Sequence, residues 1–200
     1  MRGIVVTCAA VAALVCAPAF AQKAKKTKGW AQEPDTVLGI KLGVPVASLA
    51  LAECKSYSST PPEGAQCVVK HEYGYRPDKV LNLIGMPDIG VHYATEIMVF
   101  DGFAKTLTLN LEHKDYPKIK DILIERYGKP QEQLKSDVTT GAGAVLSSES
   151  LMWKGKKMNL IVVERALSAD KTAVFFTDLA VQAADLASRD KKSKDAASKF

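Results

Sequence analysis

Two alternating, β-rich runs, VHYATEIMVF and FAKTLTLNLEH, meet at Asp101-Gly102, and few arrangements satisfy both. An Asp-Gly pair takes the positive φ angles of a two-residue hairpin turn at low cost, and the twist of that turn suits paired strands. The turn in turn fixes a register. Phe100 is expected opposite Phe103, Met98 opposite Lys105, Glu96 opposite Leu107 and His92 opposite Leu111. Phe100, Met98, Leu107, Leu109 and Leu111 would then share the core face.

The segments around this hairpin read as short elements. Gly39 and Gly43 bracket an apolar piece, and Val44-Pro45 opens a weak helix through Ser48 and Leu51. Cys67 to Tyr75 and Lys79 to Ile84 read as strands, after which Gly85, Pro87 and Gly90 break the chain. Asp115 is positioned to cap a helix from about Tyr116 to Tyr127, with Pro117 in a first turn that tolerates its missing N–H. Ile119, Ile122, Leu123 and Tyr127 supply the apolar stripe, and Gly128 followed by Pro130 ends it. Residues 139–144, TTGAGA, read as a flexible loop. A second hairpin turns at Lys154-Gly155-Lys156, AVFFTDL follows as a strand, and a short Ala-rich helix comes last. The expected fold is α+β: a largely antiparallel sheet built from hairpins, with helices packed on one face. The two halves share an element order, which allows an internal pseudo-repeat.

The ends carry different information. Residues 1–21 combine Arg2, an apolar run from Ile4 to Ala17 and the small-residue pattern Ala19-Phe20-Ala21, the three parts of a cleavable secretory signal. The run is shorter than the ~20 residues that span a bilayer. Thr7 and Val15 precede Cys8 and Cys16 where lipid attachment wants Gly, Ala or Ser, so the expected product is periplasmic or secreted and carries no lipid anchor. The net charge of +5 sits in two stretches. Residues 22–35 are expected to be a basic flexible segment and residues 188–200 a basic disordered tail, flanking a single domain over 36–187. Between Thr36 and Ala187, 17 basic residues face 18 acidic ones, so there is no cationic groove and nucleic acid is an unfavoured partner. The basic ends suit weak contact with an anionic membrane surface.

Removal of the signal leaves two cysteines, Cys54 and Cys67, which an oxidising compartment would join. The intervening loop is polar and turn-rich, and closing it should stabilise the fold by about 3 kcal/mol in the chain-entropy model. The disulfide can act as a structural staple, or it can stiffen a recognition loop presenting Tyr57, Ser58 and Ser59.

LGIKLG, the FDG hairpin, and ILIERYGKP followed by MWKGKKMNLIVVE resemble segments of small proteobacterial periplasmic proteins. The architecture also resembles BamE/SmpA-like and β-lactamase-inhibitor-protein-like domains, in which helices pack on an antiparallel sheet. The resemblance implies binding or envelope assembly rather than catalysis, and it transfers no functional residue.

Chemistry is sparse by motif. There is no G-x-S-x-G, and Gly141-Ala142-Gly143 lacks the Lys-Ser/Thr of a phosphate loop. No motif calls for a cofactor. The histidines are His71, His92 and His113, and in the expected register His92 and His113 are diagonal neighbours, a weak metal pair or a cap on the rim of the core. Tyr73, Tyr75, Tyr93 and Trp153 can form an aromatic patch or core. The leading expectation is an exported binding or adaptor protein acting on another envelope protein through the stapled loop or a sheet edge. The alternative is a hydrolase-type periplasmic enzyme whose residues come together only in space.

Overall fold

The computed structural model describes residue 30 and residues 32–61, 64–69, 79–166 and 168–199. The expected signal segment, residues 22–29, His71, Tyr73 and Tyr75 lie outside the described residues.

The Asp101-Gly102 turn forms as expected, with φ of 50° and 77°, and joins β4 (Tyr93–Phe100) to β5 (Phe103–Glu112). The register beyond it differs. Phe100 faces Phe103 and Val99 faces Ala104, but Met98 then faces Thr106, which leaves Lys105 as an extra residue in a β-bulge. Every later pair shifts by one, so Ile97 opposes Leu107, Thr95 opposes Leu109 and Tyr93 opposes Leu111. The core face is therefore Val99, Ile97 and Thr95 with Leu107, Leu109 and Leu111. Met98 and Phe100, expected there, turn to the opposite face and are half-buried. A one-residue slip exchanges the faces of a strand, and one bulge is enough to cause it.

The remaining strands are β1 (Ala52–Cys54), β2 (Cys67–Val69), β3 (Val80–Ile84), β6 (Glu132–Thr139), β7 (Val145–Lys154), β8 (Met158–Val163) and β9 (Lys171–Asp178). The nine strands among the described residues form one sheet in the order β1-β2-β3-β4-β5-β9-β8-β7-β6. Every neighbouring pair is antiparallel except β1 with β2. The expected α+β class with a largely antiparallel sheet is thus realised. A meander β2–β5 leads into α1 (Tyr116–Tyr127), a second meander β6–β9 leads into α2 (Leu179–Ala197), and the two last strands meet at the centre. The element order repeats at the level of topology.

Tyr116, Ile119 and Leu123 bury α1 in a cluster with Leu109, Leu111, Trp153 and Phe176. Asp115 was expected to cap this helix. It holds the N-cap position, as the last residue of a 3₁₀ turn, His113–Asp115, but its side chain makes no capping bond. Gly128 ends α1 with φ 78°, and its carbonyl accepts a hydrogen bond from Trp153 Nε1 at 2.8 Å. Trp30 packs edge-on against Tyr127 at 5.1 Å and is 5% exposed. Glu33 Oε2 accepts from Lys156 N at 2.9 Å, and its Oε1 accepts from Lys157 N at 2.6 Å, at the β7–β8 turn. Trp30 and Glu33, within the expected flexible segment, thus both contribute to the fold, one through its indole and the other through its carboxylate.

The C-terminal half departs from expectation in two places. Residues 139–144 are the tip of a β6–β7 hairpin whose first strand is an eight-residue sheet edge. Asp178 Oδ1 caps α2 by accepting from Val181 N at 2.9 Å, and the helix runs on through Ala197, across most of the expected disordered tail 188–200. Lys105, in the bulge, donates to Asp185 of α2 at 2.7 Å. Helix α2 thus meets the sheet beside Met98 and Phe100, on the face opposite α1, and the expectation of helices on one face holds for α1 alone.

Candidate functional site

The bulge gives the sheet a second face with its own chemistry. Asn82 of β3 faces Glu96 of β4, and Ala94 of β4 faces Asn110 of β5. These positions alternate with the buried Leu81, Leu83, Thr95, Ile97, Leu109 and Leu111, so the polar side chains point away from the core. They floor a cleft of about 560 Å³, within the range of small-ligand sites. The loop from Gly85 to Asp88, with His92 and Tyr93, forms one wall, and Tyr57 of the disulfide loop forms another.

Cys54 and Cys67 are joined, with Cα atoms 5.6 Å apart. The cross-link holds the loop beside β2, and Tyr57 remains 52% exposed while lining the cleft. Desolvation, then the charge of Glu96, raises the Tyr57 phenol above its ordinary pKa. Tyr93 is raised by desolvation and by Asp88, and its hydroxyl donates to the Pro87 carbonyl. Asn82, Glu96 and Asn110 are half-buried, and their side chains have no hydrogen-bond partner among the described residues. Two carboxylates, Asp88 and Glu96, line the cleft, with no lysine or arginine among the described lining residues.

The expected site residues are divided by this geometry. Tyr57 and His92 share the cleft. Ser58 and Ser59 are spent within their own loop: Ser56 Oγ lies 2.9 Å from Ser58 Oγ, and Ser56 N donates to Ser59 Oγ at 3.0 Å. His113 is not beside His92. The register shift places Tyr93, rather than His92, across from Leu111, and His113 Nε2 lies 3.1 Å from Glu164 Oε1. Among the described residues no group of three or more His, Cys, Asp or Glu is placed to hold a metal ion. Sequence reasoning missed Asn82, Glu96 and Asn110. The available signal was one amide or carboxylate at an outward-facing position in each of three neighbouring strands.

A second polar cluster is self-contained. Glu149 of β7 accepts from the Tyr116 hydroxyl, from Lys120 Nζ and from Gln133 Nε2, while its backbone N–H donates to Glu164 Oε2 at 2.8 Å. Burial pushes the Glu149 carboxyl upward, but the three donors outweigh it and hold the pKa at about 2. With its acceptors occupied, this cluster ties α1 to β6 and β7 and leaves little for a ligand.

Compared with family models, with curated proteins and with solved structures, the chain finds no match. The cleft must therefore be read from its own residues.

Proposed function

We propose that the chain is an exported binding protein that takes a cationic group of another envelope protein into the cleft between the disulfide loop and the second face of the sheet. The observation that carries this reading is a set of unspent polar side chains. Asn82, Glu96 and Asn110, from three neighbouring strands, lie beneath Tyr57 without a partner among the described residues. A concave site with convergent hydrogen-bonding groups is what a ligand requires. Two carboxylates, unopposed by lysine or arginine among the described lining residues, select positive charge. A lysine or arginine side chain meets both demands.

Export is supported by the three-part pattern of residues 1–21 and by the disulfide, which persists in oxidising compartments. No helix among the described residues is long and apolar enough to cross a membrane. The resemblance to periplasmic binding and assembly domains points the same way. The test is a nuclear magnetic resonance titration with an amidated lysine tripeptide, using an alanine tripeptide as control. Shifts should gather at Tyr57, Asn82, Glu96 and Asn110, and Glu96→Gln should weaken them severalfold. Shifts that gather elsewhere, or affinity unchanged in Glu96→Gln, would overturn the reading.

A further inference from the structure

A second cleft, of about 490 Å³, opens where the tip of the β4–β5 hairpin meets α2. Its floor is apolar. The bulge turns Met98 and Phe100 onto this face, and Val80 of β3 stands opposite Met98, all three half-buried. Its walls are charged, and part of that charge is already neutralised. Asp185, 7% exposed, accepts from Lys105 at 2.7 Å and from Arg189 through Nε at 2.8 Å and Nη2 at 2.9 Å. Lys79 and Lys192 stand exposed on the rim without a partner among the described residues. Four cationic side chains (Lys79, Lys105, Arg189, Lys192) thus line the cleft against two carboxylates, Asp101 and Asp185. The excess of positive charge lies on the rim, and the uncovered apolar surface lies below it.

From this layout we propose that the cleft binds a single long-chain carboxylate. The alkyl chain lies over Val80, Met98 and Phe100, and the carboxylate is held between Lys79 and Lys192. A charged head and an apolar tail match the two zones, which neither a small inorganic anion nor a neutral apolar molecule does. The volume falls in the range of small-ligand sites. The site exists only because α2 continues past Ala187: Ser188, Arg189 and Lys192 would line nothing in a disordered tail. It is separate from the cleft under Tyr57, whose charge is opposite.

Calorimetric titration of the intact, disulfide-bonded protein with octanoate, decanoate and dodecanoate, each below its micellar concentration, tests the proposal. Affinity should rise about two- to fourfold for each methylene added, as expected for chain carbons leaving water. The double variant Lys79→Gln/Lys192→Gln should weaken dodecanoate about tenfold, since both lysines are exposed and the fold does not depend on them. Met98→Asp should abolish binding with an unchanged circular dichroism spectrum, and Glu96→Gln should leave binding as it is. In the Glu96→Gln protein, whose cation cleft is weakened, dodecyltrimethylammonium, with the same tail and the opposite charge, should bind more weakly than dodecanoate. A flat chain-length series, equal affinity for the two head groups, or binding to phosphatidylglycerol vesicles without binding to dodecanoate would overturn it.

Discussion

The Tyr116 hydroxyl donates a hydrogen bond to Glu149 Oε2, fastening the first turn of α1 to the middle of β7. The Glu149 carboxyl, ordinarily near 4.5, is held at about 2 in the folded chain. A group with a depressed folded pKa stabilises the fold above its unfolded pKa, and that stability is lost as pH falls toward the folded value. Between about pH 5 and pH 2 the protein should therefore lose about 3 kcal/mol through this one residue. Glu149→Gln should be less stable than wild type at pH 7, and the gap should close by pH 2. Urea midpoints of the two proteins across that range measure it. A gap that persists at pH 2 would locate the effect elsewhere.

Lys105 and Arg189 share one carboxylate, and their combined hydrogen bonds hold Asp185 below its ordinary pKa, with Arg189 the larger influence. Replacing Lys105 with Met should cost about 1–2 kcal/mol, because Arg189 still satisfies the acid. Hydrogen exchange should report it as faster amide exchange along α2, with β7 and β8 unaffected. Uniform acceleration through the sheet would refute a local anchor.

Cys54→Ser/Cys67→Ser should lower stability by about 3 kcal/mol, as for a loop of this length in the chain-entropy model. Dithiothreitol should reproduce that loss in the wild type and have no effect on the variant. If Tyr57 is positioned by the cross-link, the variant also binds the lysine tripeptide more weakly.

Trp153 is fully buried and its indole N–H satisfies the carbonyl that ends α1. Trp153→Phe should cost about 2–3 kcal/mol, combining lost volume with an unsatisfied Gly128 carbonyl. Thermal denaturation of the pair gives the number. A change below 1 kcal/mol would mean that water takes the place of the indole at this helix end.

Edge strand β6 exposes its outer backbone over eight residues and carries Leu134 at 61% exposure. Lys135 and Asp137 charge that edge, a common device against strand-to-strand association. Lys135→Val/Asp137→Val should form concentration-dependent oligomers on size-exclusion chromatography, while the wild type elutes at a constant volume.

Features governed by near neighbours in the chain were legible from sequence. The Asp101-Gly102 turn, the span Tyr116–Tyr127, its stop at Gly128 and the Cys54–Cys67 bond all rest on a few adjacent residues or on simple pairing. The bulge at Lys105 was not legible, because FAKTLTL alternates acceptably in either register until Asp185 supplies a distant partner. Strand β6 was hidden because an edge strand with polar side chains has no buried face to print a period on it. The final turns of α2 were hidden for a similar reason: RDKKSKDAA lacks an apolar stripe. Tyr57 and His92 were singled out separately, but their meeting over Glu96 depends on strand order and on the corrected register.

The last strand in the chain lies in the middle of the sheet, between β5 and β8. Nothing in the first meander can find its inner neighbour until Lys171–Asp178 exists. At synthesis rates of roughly 5–20 residues per second, some 3–13 s separate the completion of β5 from that of β9. Throughout that interval β5 has no inner neighbour, and the second meander that will supply one is still being made. A chain wired this way cannot complete its sheet before Asp178 has been made.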